Sequence, residues 1–250
     1  MQPHRSRYWL NAKTKAEDPV AFAQQVETVC TLYAYAPLLQ SLGGHVVSVD
    51  EMTGIQALER IARTIAMAPN QPERQEFEYV RHGTLSLIAN FDIVSGQVVS
   101  PSLGPTRTEA DFAAHLDRMI DTDPTGMWVC IMDQLNTHQS ESLVRLIAER
   151  CSIPDDLGSK GKAGVLQSMT TRAAFLSDPT HRIQVVYVPK HTSWLNQIEI
   201  WFGILVRRVL KRGNFPSLVA LQERIMAFIT YFNLTAKPFQ WTYTGRPLVV

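Results

Sequence analysis

Three acidic residues sit where a carboxylate is costly to place. Asp50 ends the run VVSVD, Asp133 follows the apolar WVCIM, and Glu199 stands inside WLNQIEIWF. A buried charge without a partner shifts its pKa or destabilises the fold. Three such groups in one chain imply a shared partner, and a divalent cation satisfies all of them at once. All-oxygen donors suit the hard ions Mg²⁺ or Mn²⁺. Two such ions held by carboxylates would activate an attacking oxygen and stabilise a leaving one, which is the chemistry of phosphodiester cleavage and transfer.

Each acid also has a plainer reading. Asp133 follows the most apolar strand of the chain, where functional groups of α/β sheets gather. It would otherwise be a turn residue capping the next helix, but Asn136, Thr137 and Ser140 are available for that. Asp50 ends a strand on the side of Ser48 and Val46, opposite Val47 and Val49. Its neighbour Glu51 is the alternative acid of that pair. Glu199 shares a helical stripe with Leu195, Phe202, Gly203 and Val206, so it is expected toward the core, with Gly203 leaving space beside it. The plainer reading is a buried glutamate paired with an arginine. His138 and His191 each lie near a proposed acid and are either orienting groups or plain surface. Asp92 is explained by a hairpin turn.

The elements that must position these acids follow from pattern. Asp18-Pro19 reads as an N-cap with proline in the first turn. Phe22, Val26, Val29, Cys30 and Tyr33 then predict a helix over 19–34, closed by Pro37 and Gly43-Gly44. Val46–Asp50 reads as a short strand, and 68–81 as a loop. Thr84–Asp92 and Gln97–Leu103 flank a hairpin turn. Thr108 caps a helix running to about Thr122. Trp128–Met132, apolar throughout, predicts a central strand covered on both faces. His138–Arg150 is helical by pattern. Residues 151–181 form a polar excursion with one short helix near Thr170–Leu176. Ile183–Val188 is a strand, and Leu195–Leu210 and Leu218–Phe232 are helices. This order predicts a mixed α/β layer fold.

Composition narrows the classes. With 250 residues, 45% apolar and 19% charged, the chain can bury a substantial core. Its three cysteines show no C-x-x-C pairing, which argues against a disulfide framework or a structural zinc site. The basic start lacks the apolar region of a signal peptide, and no apolar run approaches the ~18 residues of a membrane span. A cytoplasmic protein is expected. Net charge is only +1, but residues 181–250 hold nine Lys and Arg against two acids. Lys190, His191, Arg207, Arg208, Lys211 and Arg212 flank or follow Glu199 and are candidates for contacting a DNA backbone. Trp194 and Trp201 are either core residues or stacking platforms.

The segments RYWLN, VDEMTGIQALER, RHGTLSLIANFD, MDQLNTH, HTSWLNQIEIWFGILVRRVLKRGNF and KPFQWTYTGRPL carry a resemblance over nearly the whole chain. They are similar to bacterial insertion-sequence transposases of the mariner-like DDE superfamily. That resemblance implies a ribonuclease H-like mixed sheet flanked by helices, with Asp50, Asp133 and Glu199 as the metal-binding catalytic triad. It implies double-stranded DNA as substrate, two Mg²⁺ or Mn²⁺ ions, and a homodimer on DNA. The expected organisation is a linker and helix over 1–44, a catalytic domain over 45–235 with 151–181 inserted, and a tail over 236–250. Relatives carry N-terminal helix-turn-helix modules, so this chain is expected to be a truncated copy or a second reading frame with that part supplied separately. Asp133 and Glu199 lie 66 positions apart, wider than usual for the superfamily, and 151–181 accounts for the excess. A catalytically silent DNA-binding fragment and a ribonuclease H-like nuclease are the alternative functions.

Overall fold

The computed structural model describes residues 18–243 except 64, 75 and 155. The expected polar tail at 1–17 and the end of the chain from 244 lie outside the described residues. Asp18 caps helix α1 (Pro19–Ser41) through its side chain, which accepts from Ala21 N at 3.0 Å. Val26, Val29, Tyr33 and Ala36 form its buried stripe. The helix outlasts the prediction because Pro37 lies inside it and does not end it.

Five strands form one sheet in the order β3-β2-β1-β4-β5. Strands β1 (Gly44–Arg60), β2 (Tyr79–Asp92) and β3 (Val98–Gly104) form an antiparallel meander. Strands β4 (Met127–Met132) and β5 (Ile183–Tyr187) run parallel to β1. The first strand is far longer than the expected Val46–Asp50. Its second half, EMTGIQALER, lacks a clean alternation because the register shifts twice along its pairing with β2. Gly54, at φ +67°, sits in the first irregularity, where a left-handed residue lets the strand bend. The predicted loop 68–81 correspondingly gives up its end to β2. At the β2–β3 turn, Asp92 Oδ1 accepts from Val94 N and Ser95 N, as expected of a turn aspartate.

Helices cover both faces. One core joins α1, α5 (Ile198–Leu205) and α6 (Leu218–Leu234) to Val46, Val129 and Ile131. The other joins α2 (Glu109–Ile120), α3 (Glu141–Arg150) and α4 (Met169–Leu176) to Val47, Val49, Trp128, Cys130 and Met132. The alternation of β4 between two cores is why its sequence is apolar at every position. Residues 151–181 are more than a polar excursion: Leu166 and Leu176 are fully buried, and Arg172 donates to the carbonyls of Gln139 and Leu166. The described end of the chain packs inward as well. Phe239 stacks on Phe91 at 4.7 Å, and Trp241 lies 4.9 Å from Tyr33.

Helix α2 starts with a capping box between Thr108 and Asp111. It buries His115, whose Nδ1 meets Ser102 Oγ at 2.6 Å. Burial, assisted by the nearby Arg118 cation, pushes the His115 pKa down to about 3. The unfolded imidazole titrates near 6.5, so between these values the unfolded chain takes up a proton that the folded chain refuses. Stability from this site is therefore complete above about pH 6.5 and falls as pH drops toward 3, at up to about 1.4 kcal/mol per pH unit. Urea denaturation of wild type and His115→Gln from pH 4 to 7 is expected to show a shallower pH slope in the variant; identical slopes would refute the assignment.

Candidate active site

Strands β1 and β4 fix the first two acids. Their parallel register pairs Ser48 with Ile131. Two residues further along, Asp50 and Asp133 fall side by side. Asp50 continues the alternation of Val46 and Ser48, and Asp133 that of Val129 and Ile131, so both belong to the face that α5 covers. Glu199 lies in the first turn of α5. The negative charge of Asp133 acts on both Asp50 and Glu199, so the structure brings the three sequence-predicted acids together.

Their environments differ. Asp50 is buried, accepts from Glu51 N at 2.8 Å and lies 3.5 Å from Asn196 Nδ2. Desolvation and the charge of Asp133 push its pKa up to about 7. Glu199 is exposed, a departure from the core-facing position expected for it. The departure arises because α5 starts at Ile198 rather than Leu195, so the buried stripe is Ile198, Trp201, Phe202 and Leu205. Partial desolvation, with Asp133 nearby, still raises the Glu199 pKa. Burial opposes ionisation of Asp133 too, but His138, Leu135 N and Arg107 outweigh it and the pKa is lowered.

His138 explains that last shift. It is fully buried, with Nδ1 2.7 Å from Asp133 Oδ1 and Nε2 2.8 Å from Glu51 Oε2. Its ring lies 4.4 Å from Phe112, and Tyr187 Oη donates to its carbonyl at 2.7 Å. Burial alone would lower the pKa of this imidazole, but the two carboxylates outweigh it and raise it to about 10. Asp50, Glu51 and His138 each bring a ligand atom within 4.8 Å of the others, so a metal centre on this trio is a geometric alternative to the three acids. An imidazolium that donates from both nitrogens has no lone pair for a metal. In this arrangement His138 is a buried counter-ion that orients Asp133 and neutralises Glu51. No pattern in the sequence distinguishes this histidine from a surface one.

The segment before Glu199 is pinned by its polar side chains. Residues Ser193–Leu195 form a 3₁₀ turn and Asn196 is extended, where a continuous helix was expected. Asn196 Nδ2 donates to Val49 O at 2.9 Å, beside Asp50. Tyr33 Oη donates to Leu195 O at 2.6 Å and accepts from Gln197 N at 3.3 Å. These bonds place Glu199 relative to β1. Trp201 is a core residue, whereas Trp194 is exposed against the edge of Tyr243.

Beyond α5 the helix widens into a π turn over Val206–Leu210, a feature frequent at functional sites. Arg207, Arg208, Lys211 and Arg212 are all exposed along it, as are Lys190 and His191 before the 3₁₀ turn. His191 holds φ at +62°. The room above Gly203 is taken by Arg207: a Cβ at Gly203 would lie 3.3 Å from its Nη1. Arg107, in the loop before α2, is a further cation near Asp133 that sequence reading missed.

Comparison with known proteins fits this geometry. The model of one protein family, DDE superfamily endonuclease, matches residues 45–222. The chain belongs to that family. The DDE endonuclease domain resembles the Mos1 mariner paired end complex with Mn, with a TM-score of 0.54 and 12% identity. That match covers 90% of this chain and 57% of the other, so the chain spans little more than half of that protein. The isolated catalytic domain of Mos1 mariner transposase gives a TM-score of 0.53 at 11% identity, covering 89% and 84%. At this identity the likeness establishes the fold, which is ribonuclease H-like, as expected. No functionally curated protein matches the DDE endonuclease chain in sequence.

Two predictions test how the DDE endonuclease holds its acids in place. His138→Gln strands the buried Glu51 carboxylate and is expected to lower unfolding free energy by about 3–5 kcal/mol. The double variant Glu51→Gln/His138→Gln should recover part of that loss; additive losses in urea denaturation would remove the ion pair from the account. Tyr33→Phe leaves Leu195 O and Gln197 N without their partner and is expected to cost about 1–3 kcal/mol, with faster hydrogen exchange at Gln197.

Proposed function

We propose that this chain is the catalytic part of a transposase, performing metal-dependent DNA strand cleavage and strand transfer at transposon ends. The observation that carries the reading is the convergence of Asp50, Asp133 and Glu199 on one face of the sheet within a DDE endonuclease family member. The solved relatives with a similar fold include a Mos1 pre-cleavage transpososome and a Mos1 strand transfer complex, at TM-scores of 0.54 and 0.52. Other Mos1 structures are named as containing Mn or Mg.

The acids fit a hard divalent cation. Asp50 is buried beside like charges with no cationic side chain bonded to it, a placement that a bound cation relieves. Asp50, Asp133 and Glu199 would hold Mg²⁺ or Mn²⁺, two ions by the family expectation. Bound there, the ions supply activation of a water or a 3′-hydroxyl and stabilisation of the leaving oxygen. The protein's own contribution is orientation. His138 fixes one oxygen of Asp133, and Asn196 spans β1 and the start of α5. Lys190, His191, Arg207, Arg208, Lys211 and Arg212 contact phosphates and hold the duplex over the acids. Arg107 is positioned to act on a phosphate near Asp133. A homodimer on DNA and a separate helix-turn-helix part complete the proposal. Among the described residues no helix is long and apolar enough to cross a membrane.

Nicking of labelled transposon-end duplex with Mg²⁺ or Mn²⁺, with the DNA-binding part supplied in trans, tests this. Asp133→Asn and Glu199→Gln are expected to lose activity by roughly three orders of magnitude or more while keeping their circular dichroism. Wild-type rates in either variant would exclude the triad. Preferential cleavage of RNA–DNA hybrids would favour the nuclease reading, and duplex binding without nicking the silent fragment.

A further inference from the structure

The basic residues following Glu199 do not end at Arg212. The chain turns there and runs into the distal end of the β1–β2 ribbon. Phe215 N donates to Leu58 O at 2.8 Å, and Arg60 N donates to Asn214 Oδ1 at 2.7 Å. Arg212 lies at the centre of this junction. It lines a groove of about 370 Å³ with Arg60 and Arg63, and a second of about 390 Å³ with Arg208 and Arg224. Five arginines from three elements thus surround one spot. Arg63, Arg208, Arg212 and Arg224 are exposed, and among the described residues none of the four is in an ion pair. Glu59, the acid beside the first groove, is engaged by His82 at 2.8 Å. Uncompensated guanidinium groups held together repel one another, and the partner that suits them is a row of phosphates.

Two elements connect this cluster to the acids, and both give its distance. From Asp50 to Arg60 is ten residues of bent strand, at most roughly 33 Å at 3.3 Å per residue. From Glu199 to Arg212 is thirteen residues of α-helix, π turn and closing turn, about 20 Å at 1.5 Å per residue. At 3.4 Å per base pair along one strand, that span is roughly six to ten base pairs.

We propose that Arg63 and Arg224, with Arg60, Arg208 and Arg212, form a second contact to the backbone of duplex DNA, roughly six to ten base pairs from the bond that the acids attack. The inference rests on the nucleic-acid reading above and adds a place, a distance and three residues outside Glu199's own helix, Arg60, Arg63 and Arg224. The contact takes any sequence, since it meets phosphates and no base edges. Its use is leverage: a duplex fixed at two separated points cannot swing about the reacting phosphate.

The test compares wild type with Arg63→Ser/Arg224→Ser and with a charge-matched control, Arg145→Ser/Lys162→Ser, whose exposed cations lie elsewhere. Duplex affinity is measured as a function of salt on a 24-base-pair transposon-end probe, together with a hydroxyl-radical footprint. The cluster variant is expected to lose about 0.9 from the log–log salt slope per phosphate contact, near two in all. It should also lose backbone protection roughly six to ten base pairs from the cleavage position while keeping protection at that position, with an unchanged melting temperature. An unchanged slope, or an equal change in the control, overturns the second contact and leaves the functional proposal standing. Failure of the folded wild type to bind duplex DNA overturns both.

Discussion

The site depends on a pairing of like charges that the backbone enforces. Hydrogen bonds between β1 and β4 set Ser48 against Ile131, and two residues on they leave Asp50 and Asp133 no choice but to be neighbours. The sheet is the cheap part of this arrangement, since its backbone hydrogen bonds require no particular side chain. The costly part is holding the carboxylates together in a partly dry setting. The fold divides that cost unequally. Asp133 is given His138, and Asp50 is given an amide and a backbone N–H but no cation. The asymmetry favours the charged form of Asp133 and disfavours that of Asp50 until a positive charge arrives beside it.

His138 is then a structural answer to an electrostatic problem. A cation buried against Phe112 would be expensive alone, and so would Glu51, whose side chain is almost wholly enclosed. Each makes the other tolerable, and the surplus charge of the imidazolium reaches Asp133 through its second nitrogen. Helix α5 brings the third acid from the surface. It is tied down from below by Asn196 and Tyr33, so its position is set by core bonds although its carboxylate faces solvent.

Much of this was readable in the chain. The uninterrupted apolar run of β4 foretold a strand between two cores, and the Val46–Ser48–Asp50 alternation gave the side on which Asp50 lies. Asp18 and Thr108 announced helix starts through local hydrogen bonds, which depend only on nearby residues, whereas the helix expected from His138 starts only at Glu141, after a 3₁₀ turn over Asn136–Gln139. The misreadings share a cause, which is that distant partners decided the conformation. EMTGIQALER becomes strand because β2 pairs with it across two irregularities. Leu195–Gln197 leaves the helix because Asn196 is drawn to Val49 and Leu195 to Tyr33. Moving that helix start turned Glu199 outward. The role of His138 was only half legible because one partner, Asp133, is near in sequence while the other, Glu51, lies far upstream on β1.

The contact of Trp241 with Tyr33 carries a consequence for how the chain is made. Tyr33 belongs to the first described helix and Trp241 to the last described segment, so over two hundred residues are synthesised between them. Tyr33 also holds the turn before Glu199, which means that a nascent chain has all three acids in hand before the buttress behind the third is in place. A contact so distant in sequence forms late, after the sheet and its nearer helices. The buttress behind the third acid therefore forms only once Trp241 has been made, and a chain cut after Leu234 leaves that acid without one of its supports.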